Sequence, residues 1–501
     1  MTTRKRQATE ILEKPRAKKP VNHSNQTLHA FFSPRQTQIS DAAHQKAPPD
    51  GAGAPAGSAK AITSVRPSSP LSDEQHRVLR MVLDEGRNIF FTGSAGTGKS
   101  LLLREIIKAL KQKYAKTPDC LAICASTGMA AQNIGGTTIH AWGAVTPGIY
   151  DVGKQISYIK TCRPAHRRWK TTKVFIIDEV SMVDGQLFDL LAALAVALRK
   201  KTDRPFGGIQ LVITGDFFQL PPITQSGKDV FFAFQSNAWK ECIENTVTLT
   251  QVFRQKDNHF VDLLNELRRG DITPATREAL TRLSRPLPQD DGLLPTELFP
   301  LRAEVDRANA ARLSALSGQS YIFTARDSGS AVPAKRQKLL DNMMAVKILE
   351  LKRDAQVMLV KNASETLVNG SVGRVMGFLP SPERRHKEDD ELLPLVEFRT
   401  FRGKETVLVS REEFRAEDSE GKLLAKRVQV PLVLAWAMSI HKAQGQTIQR
   451  VKVNLNKVFE KGQSYVALSR AASLEGLQVL GFDSRKVMAH PRVVEWSKSL
   501  A

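Results

Sequence analysis

The 501-residue sequence predicts an α/β protein: two domains, each a parallel sheet covered by helices, with a small β-rich insert in the second and a disordered basic arm ahead of both. Three observations predict it. Short apolar runs alternate with longer helical patterns from Leu71 onward. One of those runs passes straight into a glycine-rich loop and then a helical pattern. A second series of runs is interrupted by shorter ones set apart by turn residues.

Residues 1–70 hold 11 Lys and Arg against 4 Asp and Glu and are rich in Pro, Ala, Ser and Gln. Without periodic hydrophobic residues they cannot bury enough surface to fold, which predicts the arm. The first domain is expected over 71–245, with strand-like runs at Asn88–Thr92, Cys120–Ala125, Val174–Ile177 and Gln210–Thr214. The second takes 246–317 and 431–501, with a helical Phe260–Arg269 and strand-like Glu297–Pro300, Val451–Leu455 and Gln478–Gly481. Between its parts, 318–430 carries short runs such as Gln356–Leu359, Ser371–Phe378 and Thr406–Ser410, the pattern of a β-rich insert. Pro380–Glu391, charged and turn-rich, reads as an exposed loop within it.

Composition narrows the partner. With 73 Lys and Arg against 51 Asp and Glu, a formal charge of +22 calls for a large polyanion, and nucleic acid is the first candidate. Four scattered cysteines, Cys120, Cys124, Cys162 and Cys242, exclude a disulfide scaffold or a paired-ligand zinc site and fit a reducing compartment. The longest apolar run, Leu190–Leu198, is too short to span a bilayer, so no membrane segment is expected. Arg4-Lys5-Arg6 is followed by Glu10 and Glu13 rather than an apolar stretch, an expectation that excludes a secretory signal and argues mildly against a mitochondrial leader.

The chemistry begins at Phe90–Ser100, an apolar strand running into G-x-x-x-x-G-K-S and then Leu101-Leu102-Leu103. Gly93, Ser94, Ala95, Gly96, Thr97 and Gly98 form a loop whose backbone N–H groups close on phosphates. Lys99 reaches the outer phosphates, and the Ser100 hydroxyl ligates Mg²⁺. Val174–Ile177 ends in Asp178 and Glu179, a carboxylate to hold Mg²⁺ through water and a base to orient the attacking water. The run Gln210–Thr214 continues through Gly215-Asp216-Phe217-Phe218-Gln219, which sets Gln219 at a strand tip within reach of a γ-phosphate. To this point any ATPase of such architecture satisfies the pattern, a kinase-like or nucleotidase enzyme included.

The second half is more specific. In order, Gly93–Ser100, Ala125–His140, Asp178–Met182, Gly215–Pro222, Arg254, Trp436–Thr447 and Tyr465–Ala471, with Gln75 upstream, resemble the superfamily-1 DNA helicases. Phe206–Gln210, Leu263–Gly270 and Leu367–Ser371 resemble stretches particular to the PIF-type branch, relatives of the bacterial RecD enzymes. The resemblance runs from about Leu71 to Phe482; the arm, the charged loop at Pro380–Glu391 and the short C-terminal tail depart from it.

The resemblance implies two RecA-like P-loop domains sharing one ATP, with Gln75 at the nucleotide and Arg254 and Arg470 offered from the second domain to charge that develops in the transition state. It implies an ATP- and Mg²⁺-dependent DNA helicase with 5′-to-3′ polarity, acting on single-stranded and forked DNA, RNA–DNA hybrids and G-quadruplexes, for which a monomer suffices. Single-strand contacts are expected from Thr127 and His140 in the first domain and from His441, Lys442, Tyr465 and Ser469 in the second. Trp142 reads equally as a base-stacking ring or a core residue. An RNA helicase, and a clamp-bound scaffold without turnover, remain the competing readings.

Two features of the arm point to location. Lys14–Pro20 resembles a nuclear-localisation patch, and Leu28, Phe31 and Phe32 resemble the anchors of the peptide box that docks on the sliding clamp PCNA, although Asn25 stands where that box has Gln. Together they favour the nucleus, with the mitochondrion as the alternative.

Overall fold

Buried strands with unbroken apolar runs, the signature of a sheet covered on both faces, organise the first part of the chain. The computed structural model describes residues 71–500 except 225–228, 256, 289–291, 365, 381–390, 401–402 and 418–422. The predicted arm, with its basic patch and its Leu28, Phe31 and Phe32, and residues 381–390 of the predicted loop lie outside the described residues.

Strands β1 (Ile89–Gly93), β2 (Leu121–Ala125), β3 (Thr137–Thr138), β4 (Val174–Asp178), β5 (Gln210–Thr214) and β6 (Asn245–Leu249) form one parallel sheet in the order β3-β2-β4-β5-β1-β6. Alternate residues face opposite layers. Phe90, Phe175, Ile177 and Ile213 pack with Trp169, Phe188 and Leu191, while Ile89, Phe91, Val174, Ile176 and Val212 pack with Leu102, Leu103 and Ile106. Trp142 belongs to the first layer, stacked on Phe175 at 4.4 Å, which settles it as a core ring.

The boundary expected after residue 245 falls inside a strand. β6 pairs with β1 from Ile89↔Asn245 to Gly93↔Leu249, so the first sheet continues to Leu249. Its sequence, Asn-Thr-Val-Thr-Leu, is too polar to stand out as a buried run, because β6 is an edge strand whose middle residues are only half buried.

The chain then forms β7 (Thr296–Phe299), departs through β8 (Tyr321–Thr324), β9 (Arg326–Ser328), β10 (Ile348–Leu351), β11 (Gln356–Leu359), β12 (Val372–Pro380), β13 (Leu392–Thr400), β14 (Gly403–Leu408), β15 (Glu412–Glu417), β16 (Leu423–Gln429) and β17 (Leu432–Leu434), and returns as β18 (Ala437–Ser439), β19 (Val451–Asn454) and β20 (Leu477–Leu480). The second parallel sheet runs β18-β7-β19-β20. The intervening strands make antiparallel sheets, the largest ordered β14-β13-β12-β11-β17 around Val357, Val375, Val396 and Phe398. Since β17 pairs with β11, the insert extends to Leu434, past the boundary expected at residue 430. Arg427 fixes the insert internally: it is buried, pairs with Asp327 at 2.8 Å, and donates to the carbonyls of Leu340, in the last turn of the helix Pro333–Asp341, and of Ala345 beyond it.

The two parallel sheets share packing. Trp496, on the closing helix Pro491–Lys498, stacks on Phe234 at 4.4 Å and meets the Phe217 ring edge-on at 5.1 Å. All four cysteines are free, and among the described residues no helix is long and apolar enough to cross a membrane.

Candidate nucleotide cleft and nucleic-acid interface

β1 delivers the chain to Gly93, and the loop that follows closes on the helix Lys99–Lys113, whose N-cap Gly98 is left-handed at φ +79°. Glycine is required here for close approach as well as for φ. A Cβ at Gly96, φ +93°, would lie 2.6 Å from Gln255 Oε1 and 2.9 Å from Arg254 Cβ; one at Gly98 would lie 2.6 Å from Gln75 Nε2. Gln75 is 1% exposed, held by the capping box of helix Asp73–Leu83, and its Nε2 donates to the Thr97 carbonyl at 3.4 Å. The Lys99 ammonium lies across the loop, donating to the carbonyls of Gly93 (2.8 Å) and Ser94 (3.0 Å). Burial chiefly, with help from Arg268 and Arg254, pulls its pKa down to about 8 against the attraction of Asp216 and Glu179.

β4 ends at Asp178, whose Oδ1 accepts from Glu179 N at 2.8 Å. Glu179 itself is left-handed at φ 53°, a conformation that costs a non-glycine residue about 1–3 kcal/mol and aims its side chain. The Ser126 hydroxyl secures it by donating to its carbonyl at 2.8 Å. Across the cleft, Gln444 Nε2 donates to Glu179 Oε2 at 2.9 Å and to Gln219 Oε1 at 3.3 Å. Burial, then the neighbouring Glu179 charge, pushes Asp178 up to about 8; burial raises Glu179 too, while Lys99 and Arg470 oppose it.

Two arginines complete the pocket. Arg470 is 2% exposed, with Nε donating to the Val466 carbonyl and Nη2 to Ser469 Oγ, both at 2.8 Å. Arg254 Nη1 donates to the Ser469 carbonyl at 3.1 Å. Burial, then the charge of Arg254, brings Arg470 down to about 9. Two neighbouring cations, Arg470 buried and Arg254 half-buried, favour an anion between them.

Beneath the loop lies a buried network. Asp216 pairs with Arg268 at 2.8 Å and accepts from Phe218 N at 3.2 Å and from the Tyr465 hydroxyl at 3.3 Å. That hydroxyl in turn accepts from Ala95 N at 2.7 Å, tying the phosphate loop to the second domain. Although burial opposes it, the Arg268 guanidinium holds the Asp216 carboxyl below its ordinary range.

Tyr465 and Ser469 therefore do not sit where the resemblance put them. Tyr465 is 1% exposed and Ser469 fully buried, because every residue of helix Gln463–Leu468 packs inward. They support the loop and the arginines instead of facing a strand. Thr127 and His441 do line a cleft of about 1560 Å³ that also takes in Ser100, Asp178 and Glu179. Thr127 caps its helix, accepting from Ala130 N at 3.2 Å, and His441 Nε2 lies 3.9 Å from Glu460. His140 is half-buried, its pKa lowered by burial and by Lys338 of the insert; Lys442 is exposed. Three participants went unassigned in the sequence: Gln444, Asp216 and Arg268. Each lies in a segment already singled out, and a carboxylate directly after a buried strand and glycine was the available signal for Asp216.

Residues 70–278 match the family described as PIF1-like helicase, and residues 336–378 match the DNA helicase Pif1 2B domain. The chain is 49% identical to the ATP-dependent DNA helicase PIF1 of Emericella nidulans, over 86% of this chain and 63% of that one. It is 41% identical to the ATP-dependent DNA helicase RRM3 of Saccharomyces cerevisiae, over 86% of this chain and 68% of that one. The crystal structure of Pif1 helicase from Candida albicans superposes with a TM-score of 0.72 at 46% identity, over 86% of this chain and all of that one. The chain thus spans about three fifths of the Emericella relative's length.

Proposed function

The chain belongs to the PIF1-like helicase family, and from that premise we propose that it is an ATP-dependent DNA helicase moving 5′ to 3′ on single-stranded DNA. Forked duplexes, RNA–DNA hybrids and G-quadruplexes are its substrates in genome maintenance, and a monomer carries the activity. One observation carries the reading: Gln444 of the second domain is hydrogen-bonded to both Glu179 and Gln219 of the first. The residues that handle a γ-phosphate are thereby linked to the residues of His441–Thr447 that line the cleft, so a change at one is felt at the other.

In the reaction, Lys99 and the loop amides hold the outer phosphates, Glu179 orients the water that attacks, and Arg254 with Arg470 meets the charge that builds on the transferring group. Ser100 and Asp178 line one cleft and offer the hard oxygen donors that Mg²⁺ takes. Bound there, the ion supplies neutralisation of phosphate charge.

Strand displacement on partial duplexes with a 5′ or a 3′ tail tests this, with ATP and Mg²⁺. Unwinding is expected from the 5′ tail alone, and Lys99→Ala should abolish both unwinding and ATP turnover while retaining DNA binding. Unwinding from the 3′ tail, or turnover surviving in Lys99→Ala, would refute the assignment.

For location, the basic patch and the box of Leu28, Phe31 and Phe32 support a nuclear protein that docks on PCNA. Phe31→Ala with Phe32→Ala should abolish PCNA capture without altering ATPase rate; unchanged capture, or a tagged chain confined to mitochondria, sinks this part.

A further inference from the structure

Gln446 lies in the loop after the short helix Ile440–Ala443 and is 6% exposed, yet neither its Oε1 nor its Nε2 has a hydrogen-bond partner among the described residues. The buried Oδ1 of Asn369 is likewise unpartnered. The two are close: a Cβ on Gly370, next to Asn369, would stand 3.9 Å from Gln446 Oε1. Both line the cleft that holds Thr127 and His441. The insert and the first domain meet there too, Asn369 Nδ2 donating to Asn133 Oδ1 at 3.4 Å, while within the insert Asn369 N donates to Asn362 Oδ1 at 2.7 Å.

A buried polar group left unpaired is destabilising, so this wall suits a ligand that supplies a donor and an acceptor together. Phosphate supplies acceptors alone; it could satisfy Nε2 and would leave Oε1 unpaired. The pairing edge of a nucleobase carries both side by side, and a carboxamide meets such an edge with two bonds. Cations of the kind that suit phosphate line the same cleft, Arg104 and the ion-paired Lys361 and Lys404 among them.

We infer that Gln446, with Asn369 beside it, hydrogen-bonds the pairing edge of an unpaired base in the strand that occupies the cleft. The inference rests on the single-strand reading above and adds to it a check on the base. Every base presents a donor next to an acceptor on that edge, and the carboxamide turns to match either order, so the requirement is for freedom from a complementary strand and not for a sequence. A paired base has that edge occupied and is refused.

Equilibrium binding of a labelled thymidine oligomer and of an N3-methylthymidine oligomer of equal length, at fixed salt and without nucleotide, tests it. The methyl group blocks the edge while keeping backbone charge and stacking faces. Wild-type protein should bind the methylated strand about tenfold more weakly, the scale of one two-bond base contact. Gln446→Leu should bind both strands equally, at the weaker level, and Gln446→Glu, which keeps the shape without the donor, serves if the leucine variant does not fold. Equal binding of both strands by wild type overturns the inference without recourse to a variant. Discrimination retained in Gln446→Leu, or undiminished in Gln446→Glu, which keeps one of the two bonds through its acceptor, overturns it as well. Indifference to methylation combined with a preference for oligouridine that Gln446→Leu loses would overturn it in favour of a ribose 2′-hydroxyl. Failure of wild type to bind either strand would instead sink the single-strand reading, and the inference with it.

Discussion

Arg470→Ala is expected to lower DNA-stimulated ATP turnover by about three orders of magnitude, the loss associated with removing an arginine that meets transition-state charge. The guanidinium is fixed through Val466 and Ser469 and held beside Arg254 at a cost visible in its pKa, pulled down to about 9. Such a cost is tolerated where charge is needed at one moment of the cycle. DNA binding without nucleotide should stay within about twofold, because Arg470 is buried. Arg470→Lys keeps the charge but not the fork, and should recover only part of the rate. Turnover within about tenfold of wild type in the alanine variant would reassign the role to Arg254.

Asp216→Ala should be the most destabilising single change near the cleft. It leaves Arg268 almost enclosed and unpaired, for which breaking a buried ion pair costs about 3–5 kcal/mol. The lost carboxylate also frees the Tyr465 hydroxyl that receives Ala95 N, so the phosphate loop loosens with it. Urea unfolding followed by circular dichroism measures the cost, and adding Arg268→Met should restore much of it, since a matched apolar side chain leaves no charge stranded. A loss below about 1 kcal/mol would show the pair to be solvated. The pH dependence has a fixed sign. Asp216 is held below its ordinary range, so the pair contributes fully above the unfolded carboxyl pKa and fades as pH falls through the folded one.

What the sequence made legible was local. The phosphate loop, β4 and β5 are written in glycine spacing and unbroken apolar runs that need no distant partner to interpret. β6 was missed because three of its five residues, Asn245, Thr246 and Thr248, are polar and the segment gains meaning only by pairing with β1. The insert's end was misplaced for the same reason, β17 being defined by β11. Tyr465 and Ser469 show a different limit. A motif fixes which residues share a neighbourhood, but the direction in which each points depends on packing that arrives from elsewhere in the chain. Asp216 and Arg268 stand in separate segments, and only the fold makes one the counterion of the other.

Trp496 gives the protein a built-in optical reporter. Of the five tryptophans, Trp142, Trp169 and Trp239 lie within the first domain and Trp436 beneath the insert. Trp496 alone reaches from the closing helix to rings of the first domain, stacked on Phe234. Any motion that parts the two bodies lifts an indole off an apolar platform into water, which shifts its emission to the red. Conformational cycling can thus be followed by intrinsic fluorescence, with no label attached and no surface residue altered.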